Sequence, residues 1–379
     1  MKILLLITKG EIGGAQVFVA NLAKGLKNKL CGNDESRVEI ACGEGDFLFN
    51  FAKKENIVIH RLKSLKRSSG FFSNINFFFS FISFIKKNKF EVLHLNSTNT
   101  LIGAISAKIA NRKIKIIFTV HGLSILDPNY EAGVIKKFLY KLFFKFCFLF
   151  VDKVVFVSQN NLDLAKKIKL VKNGYLIYNG VDTDYLSRDE ARKFLFDRMG
   201  VLDNDKFLIG SIGRLAYPKN YEFLISIFDK IIEIEPRAHL VLIGDGPERG
   251  RYEALIGQKK LENRIFLLGE IEMGTRYLKG LDLFILPSIY EGLSISLIEA
   301  LNSGISVMAS NVGGNEEIIG VNNCYRLDDS DDFLNVFNKI IDVKVDSYKN
   351  RNNYNVRRNE FLAINMMEKY LDLYKKYYE

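Results

Sequence analysis

Two glutamates, Glu291 and Glu299, bracket the stretch Pro287-Ser288-Ile289-Tyr290-Glu291-Gly292-Leu293-Ser294-Ile295-Ser296-Leu297-Ile298-Glu299-Ala300. The run before it, Asp282-Leu283-Phe284-Ile285-Leu286, reads as a buried strand. Pro287 and Gly292 break the backbone at the strand's end. A helix is expected from Ser294, with Leu297, Ile298 and Leu301 on its inner side. In open α/β sheets ligands bind outside the carboxyl ends of strands. A helix amino terminus there offers free N–H groups and a positive dipole end, which suits a phosphate. One acid can then hold a sugar and the other a ribose, with phosphates between. Two solvated or capping glutamates would show the same spacing.

A second chemical group lies in Gly213-Arg214-Leu215-Ala216-Tyr217-Pro218-Lys219-Asn220, after the strand read at Phe207–Ile212. Arg214 offers a planar fork to phosphate oxygens and Lys219 a point charge, so together they suit a diphosphate. The competing reading is two solvated loop cations. Gly10-Glu11-Ile12-Gly13-Gly14-Ala15-Gln16 follows the first strand and permits close backbone approach to an anion, or simply makes a tight turn. It lacks the G-x-G-x-x-G spacing of dinucleotide-binding turns. Gly244-Asp245-Gly246-Pro247 closes another strand, with Pro247 suited to a first helical turn. His121 ends the strand Lys115–Val120 just before Gly122. His60 and His94 fall in or at the ends of strands and read as packed, and His239 has no stronger case. Asp182-Thr183-Asp184 spells D-x-D but follows the turn Asn179-Gly180-Val181, so metal binding is not expected there.

These groups need two parallel sheets to position them. Strands are read at 3–7, 38–42, 57–60, 92–95, 115–120, 153–157 and 175–178, then at 207–212, 240–243, 265–268, 283–286 and 305–309. Helical patterns separate most of them, and from Asp331 the chain reads as helical to its end. Continuous apolar strands alternating with helices imply parallel sheets covered on both faces. The boundary falls near 180–190. The length of 379 residues suits two domains, and four scattered cysteines suit a reducing compartment rather than a disulfide framework or zinc site. The apolar run at the amino end is too short for a signal peptide.

The net charge of +10 is uneven. Residues 1–180 hold 28 Lys and Arg against 12 Asp and Glu; residues 181–379 hold 26 against 32. An anionic partner for the first half follows. Nucleic acid is not expected, because no nucleic-acid-binding motif appears; an anionic membrane surface is the better partner. Lys137, Lys141 and Lys145 make a basic stripe on an aromatic helix that could lie in a membrane interface or pack as a core helix with a solvated edge. Residues 71–85 are similarly aromatic and too short to span a bilayer.

The ordered set Gly13-Gly14, His121-Gly122, Gly213-Arg214-Leu215 with Lys219, Gly244-Asp245-Gly246-Pro247, Glu291 with Glu299, and Val312-Gly313-Gly314 resembles the retaining glycosyltransferases of family 4, including bacterial polysaccharide and lipopolysaccharide enzymes. Ser306 and Ser294 stand where members often have proline. The resemblance implies the GT-B fold: two Rossmann-like α/β domains with parallel sheets facing across a cleft. Residues 1–182 would form the acceptor-side domain, with a helix at about 358–379 crossing back to it; residues 183–357 would bind the nucleotide-sugar.

It implies transfer from a nucleotide-diphosphate sugar, with UDP expected, to a lipid-linked or growing glycan, without a cofactor or metal. Glu291 would hold the sugar hydroxyls, with His121 approaching the sugar. Gly13 and Gly14 would line the donor side. Gly213, Arg214, Lys219, Ser294 and Ile295 would meet the diphosphate, Ile271 the base and Glu299 the ribose. A peripheral place on the inner face of the cytoplasmic membrane follows. A sugar-nucleotide epimerase of the same fold, a nicotinamide dehydrogenase and a non-catalytic membrane-binding protein are the competing readings.

Overall fold

The structure is a computed structural model that describes residues 1–30, 37–66, 71–182, 184–202, 205–346 and 358–376. It divides into two compact units, Met1–Val181 with Glu360–Glu379, and Asp182–Asn359. The first holds seven parallel strands: β1 (Lys2–Leu6), β2 (Arg37–Cys42), β3 (Val58–Arg61), β4 (Val92–Leu95), β5 (Lys115–Val120), β6 (Lys153–Phe156) and β7 (Tyr175–Leu176). Their order is β3-β2-β1-β4-β5-β6-β7. The second holds β8 (Phe207–Ile212), β9 (Ala238–Ile243), β10 (Ile265–Gly269), β11 (Leu283–Leu286), β12 (Ser306–Ser310) and β13 (Cys324–Tyr325), ordered β10-β9-β8-β11-β12-β13. Both sheets are doubly wound. The chain reverses direction across the sheet between β1 and β4, and again between β8 and β11. Each reversal leaves an open crevice at the strands' carboxyl ends.

The strand β1 shows why such runs are apolar at every position. Ile3 and Leu5 face Phe18, Leu22 and Leu26 of the helix Gly14–Leu30. Leu4 and Leu6 face the opposite core, with Phe77 and Phe81 of the helix Phe71–Asn88. A strand buried on both faces has no polar side to alternate with. The helix Phe71–Asn88 therefore enters the core through Phe77, Phe81 and Ile85, although Ile75 and Phe79 stay exposed. The last helix, Ala363–Lys375, adds Met366, Met367, Tyr370 and Tyr374 to the core beneath Gly14–Leu30.

Asp152 and Asp282 each stand one residue before a strand and hold the neighbouring strand's start. The Asp152 carboxylate accepts the Ile116 N–H and the Lys108 ammonium, both at 2.8 Å. That of Asp282 accepts the Leu208 N–H at 2.8 Å, with Arg188 at 2.8 Å and Arg192 at 3.0 Å. The same device joins β5 to β6 in the first sheet and β8 to β11 in the second.

The sequence reading missed β13, which has two residues and no periodicity to read. It also ran β7 past Leu176. The tail is helical over Ser330–Asp346 and Ala363–Lys375. Pro247 lies before the helix Arg249–Gln258 rather than in its first turn. Cys42, Cys147 and Cys324 are free and buried; Cys31 lies outside the described residues. Among the described residues no helix is long and apolar enough to cross a membrane.

Candidate active site

In the second unit the loops after β8 and β11 flank the reversal of strand order. Gly213 donates its N–H to Ile243 O at 3.0 Å, and buried Leu215 donates to Asp245 O at 2.9 Å. These bonds stitch the Arg214 loop to the loop after β9. Gly244 makes the close approach possible: at φ +136° its Cα sits where a Cβ would lie 2.2 Å from Gly213 O. Arg214 is left exposed. Lys219 closes the short turn Tyr217–Lys219, before the helix Tyr221–Ser226.

The Lys219 ammonium donates to Glu291 Oε1 at 2.7 Å. The Ser288 hydroxyl donates to the same oxygen at 2.7 Å, and Ile289 N–H donates to Pro218 O at 2.9 Å. Burial works to lower the lysine's pKa, but the charge of Glu291 and the nearby Tyr221 more than offset it, so the net shift is upward. Lys219 is a fixed cation. The helix Ile295–Ser303 then begins, and its cap Ser294 accepts the Leu297 N–H through Oγ at 3.4 Å. The first amides of a helix have no acceptor within the helix and point outward at its start.

Glu299 lies on that helix, 7% exposed, and its own carbonyl accepts the Tyr185 hydroxyl at 2.7 Å. Burial pushes its carboxyl up to about 8. A ribose hydroxyl donating to it would favour the ionised form. Near neutral pH burial therefore favours the protonated form, and a ligand hydroxyl bonded to the carboxylate would release the proton. If Glu299 meets a ribose, as the resemblance implies, nucleotide affinity is expected to rise with pH and flatten above about 8. Glu299→Gln removes that slope; calorimetry in buffers of different ionisation enthalpy counts the proton.

Ile271, half-buried after β10, accepts the Gly274 N–H at 3.0 Å. Asp184 pairs with Arg276 at 3.1 Å, and Thr183 lies outside the described residues. Among the described residues no three His, Cys, Asp or Glu side chains gather as metal ligands.

In the first unit, Thr8 and Ser97 close the reversal between β1 and β4, their hydroxyls 2.6 Å apart. Gly13 and Gly14 lead into the helix Gly14–Leu30 beside it. His121 follows β5 and packs edge-on against Phe18, with ring centroids 4.7 Å apart. Its Nε2 lies 3.4 Å from Asn96 Oδ1, while Asn96 Nδ2 donates to His94 O at 3.0 Å. With the amide nitrogen so engaged, the oxygen faces the ring and Nε2 carries the proton. The residue is half-buried, and burial pushes the ring down to about 3. Asn96→Asp is expected to move the His121 titration upward by one or more pH units, read by NMR on the ring protons. No motif pointed to Asn96 or Ser288; their roles come from contacts between segments.

The basic stripe needs a correction. Lys137 turns inward and donates to Asp127 O at 3.0 Å, Lys141 is half-buried, and only Lys145 of the three is exposed. The solvent face of the helix Val134–Phe148 is instead apolar.

Two doubly wound parallel sheets with their candidate sites at the strands' carboxyl ends make this a GT-B fold. Anabaena HepE in complex with UDP and glucose aligns at a TM-score of 0.80 and 20% identity, over 99% of this chain and 100% of that one. Residues 12–185 match the family model Glycosyltransferase Family 4, and residues 194–358 match Glycosyl transferases group 1. The chain belongs to the family 4 type of GT-B glycosyltransferases. Among curated relatives, an Escherichia coli UDP-Gal:alpha-D-GlcNAc-diphosphoundecaprenol alpha-1,3-galactosyltransferase is 26% identical over 360 residues, 91% of this chain and 90% of that protein. The E. coli O-antigen biosynthesis glycosyltransferase WclY is 24% identical over 313 residues, 82% and 80% of the two chains.

Proposed function

We propose that this glycosyltransferase moves a hexose from a UDP-sugar, with retention, to a lipid-linked or growing surface glycan. The observation that carries the reading is the Lys219–Glu291 pair at 2.7 Å, set where strand order reverses and next to the start of the helix Ile295–Ser303. Arg214, Lys219 and the amides near Ser294 and Ile295 stabilise the diphosphate as it leaves, so this chain's own dipoles and cations meet the developing charge. Glu291 holds the sugar hydroxyls, Glu299 the ribose and Ile271 the base. The bond from the sugar's C1 to the phosphate oxygen breaks with its electron pair going to the leaving UDP. The acceptor oxygen bonds C1 on the same face, and its proton passes to the departing phosphate. Uridine as the base and a lipid diphosphate acceptor draw support from the relative that uses UDP-Gal and a diphosphoundecaprenol sugar.

The place of work is the inner face of the cytoplasmic membrane. Val134, Ile135, Phe138, Leu139, Leu142 and Phe146 are 47% to 85% exposed on one helix, with Lys136 and Lys145 also exposed beside them. An apolar face with basic flanks suits an anionic bilayer surface, which also answers the basic first half. Phe138→Glu with Leu142→Glu is expected to abolish sedimentation with anionic vesicles. Neutralising Lys137, Lys141 and Lys145 is expected to weaken it only modestly. A face that instead joins two copies would show as dimer loss on size exclusion, with no vesicle binding by the parent protein.

Nucleotide release from a panel of UDP-, GDP- and ADP-sugars, with and without membrane lipid extract, tests the activity. Extract-dependent release from a UDP-sugar is expected. Conversion of the sugar without acceptor would point to the epimerase, and absence of turnover with every donor to a binding role.

A further inference from the structure

Glu291 is held in place by a loop from a different strand. We propose that the segment following β12, from Ser310 through Gly314, is the positioning element for Glu291, acting through Ser288 and through the Glu291 peptide itself; this rests on the role given to Glu291 above. Three contacts carry it. The Ser310 hydroxyl donates to Ser288 O at 2.5 Å, and fully buried Ser288 in turn donates its hydroxyl to Glu291 Oε1 at 2.7 Å. Gly314 donates its N–H to Gly292 O at 2.9 Å, on the other side of Glu291. Between them Gly313, at φ +55°, lies against the Glu291 carbonyl, where a Cβ would sit 2.1 Å from the oxygen and 2.7 Å from its carbon. Residues 288 and 292 are thus both tied to this segment, and the peptide between them rests on a missing side chain.

The segment is itself well supported. Asn315, fully buried, donates through Nδ2 to Ser310 O at 3.0 Å, and Asn311 donates its N–H to Tyr325 O at 2.7 Å. The support thus runs from β13 through this loop to Glu291. A reacting constellation must be held to about 0.5 Å, and a misplacement of 1 Å costs roughly 100-fold. A methyl group at Gly313 would have to push the Glu291 peptide away by well over an ångström to reach ordinary contact, and it would also strain a left-handed backbone.

Gly313→Ala is the direct test. It is expected to lower kcat about 30- to 100-fold while UDP affinity by calorimetry does not fall, because Arg214 and Glu299 lie outside the displaced contacts and a loosened Lys219–Glu291 pair only frees Lys219 for phosphate. Ser310→Ala, a milder change, is expected to lower kcat about tenfold at unchanged UDP affinity, and Ser310→Thr to recover most of it. Equal losses of UDP binding and turnover, together with a lowered Tm, would mean ordinary structural damage and overturn the proposal. If Gly313→Ala does not fold, the Ser310 pair decides alone, and wild-type kcat in Ser310→Ala overturns it. Glu291→Gln separates the two levels. An active Glu291→Gln removes the reading of Glu291. An inactive Glu291→Gln with fully active Gly313→Ala and Ser310→Ala removes only the positioning role.

Discussion

Glu291→Gln is expected to cut sugar transfer by about 1,000-fold or more while strengthening the binding of UDP alone about five- to tenfold. The two effects have one cause. Lys219 donates to Glu291 Oε1 at 2.7 Å, so in the proposed reading the diphosphate competes with a carboxylate for the same ammonium. The side chains are only 22% and 15% exposed, so their attraction is screened little by solvent. Glutamine keeps the shape and can still accept from Ser288, but it carries no charge. Lys219 is then offered to phosphate without a rival, while the buried cation still has a hydrogen-bond acceptor. The sugar loses its charge-assisted partner, which matters most when charge develops at C1 in the transition state. Calorimetric titration with UDP and chromatographic assay of released nucleotide check both halves. Unchanged UDP affinity with lost turnover would mean that the pair opens before the donor arrives.

The parts that could be read from the sequence are those encoded by one segment at a time. The runs Ile3-Leu4-Leu5-Leu6 and Leu283-Phe284-Ile285-Leu286 announce strands buried on both faces because no polar position interrupts them. Ser294 announces a helix start, and it caps that helix. Arg214, Lys219 and Glu291 could be named because each sits in a loop directly after such a strand. Their mutual arrangement could not. The Lys219–Glu291 contact joins two loops that are distant in sequence, and the Ser310–Ser288 bond does the same. Nothing local distinguishes Ser288 from any other loop serine, or Gly313 from a glycine placed only for a turn.

The rotation of the helix Val134–Phe148 could not be read for a different reason. Aromatic and aliphatic residues occur all around it, so the pattern establishes a helix without its rotation. Packing of Phe144 and Cys147 set the rotation, turned Lys137 toward Asp127 and left an apolar face outward. The strand β13 escaped because two residues have no period.

A chain ending at Arg358 is expected to lose the fold of the first unit while the second still binds UDP. The helix Ala363–Lys375 lies at the far end of the sequence, yet Met366, Met367, Tyr370, Leu371 and Tyr374 are 0% to 3% exposed in the same core as Phe18 and Leu22. Truncating one such side chain typically costs about 2 to 5 kcal/mol, and whole domains are stable by only about 5 to 15 kcal/mol. Removing five exceeds what the unit can lose. The polar cost adds to the apolar one. His94, wholly buried, bonds Tyr374 through Nδ1 at 2.7 Å and Thr119 through Nε2 at 2.7 Å, and Thr119 also meets the Tyr370 hydroxyl at 2.8 Å. Burial, with the neighbouring His121 adding to it, pushes His94 down to about 3, so in the intact core it is neutral and relies on these hydroxyl partners. Tyr374→Phe isolates this smaller term: it leaves one ring nitrogen without a partner at a cost of about 1 to 3 kcal/mol, a fall of several degrees in Tm. In calorimetry the truncated chain should keep one transition that UDP still raises, since Arg214, Lys219, Glu291 and Glu299 all lie within Asp182–Asn359. Survival of the first unit's transition at its original temperature would show that Gly14–Leu30 can cover its sheet without the last helix.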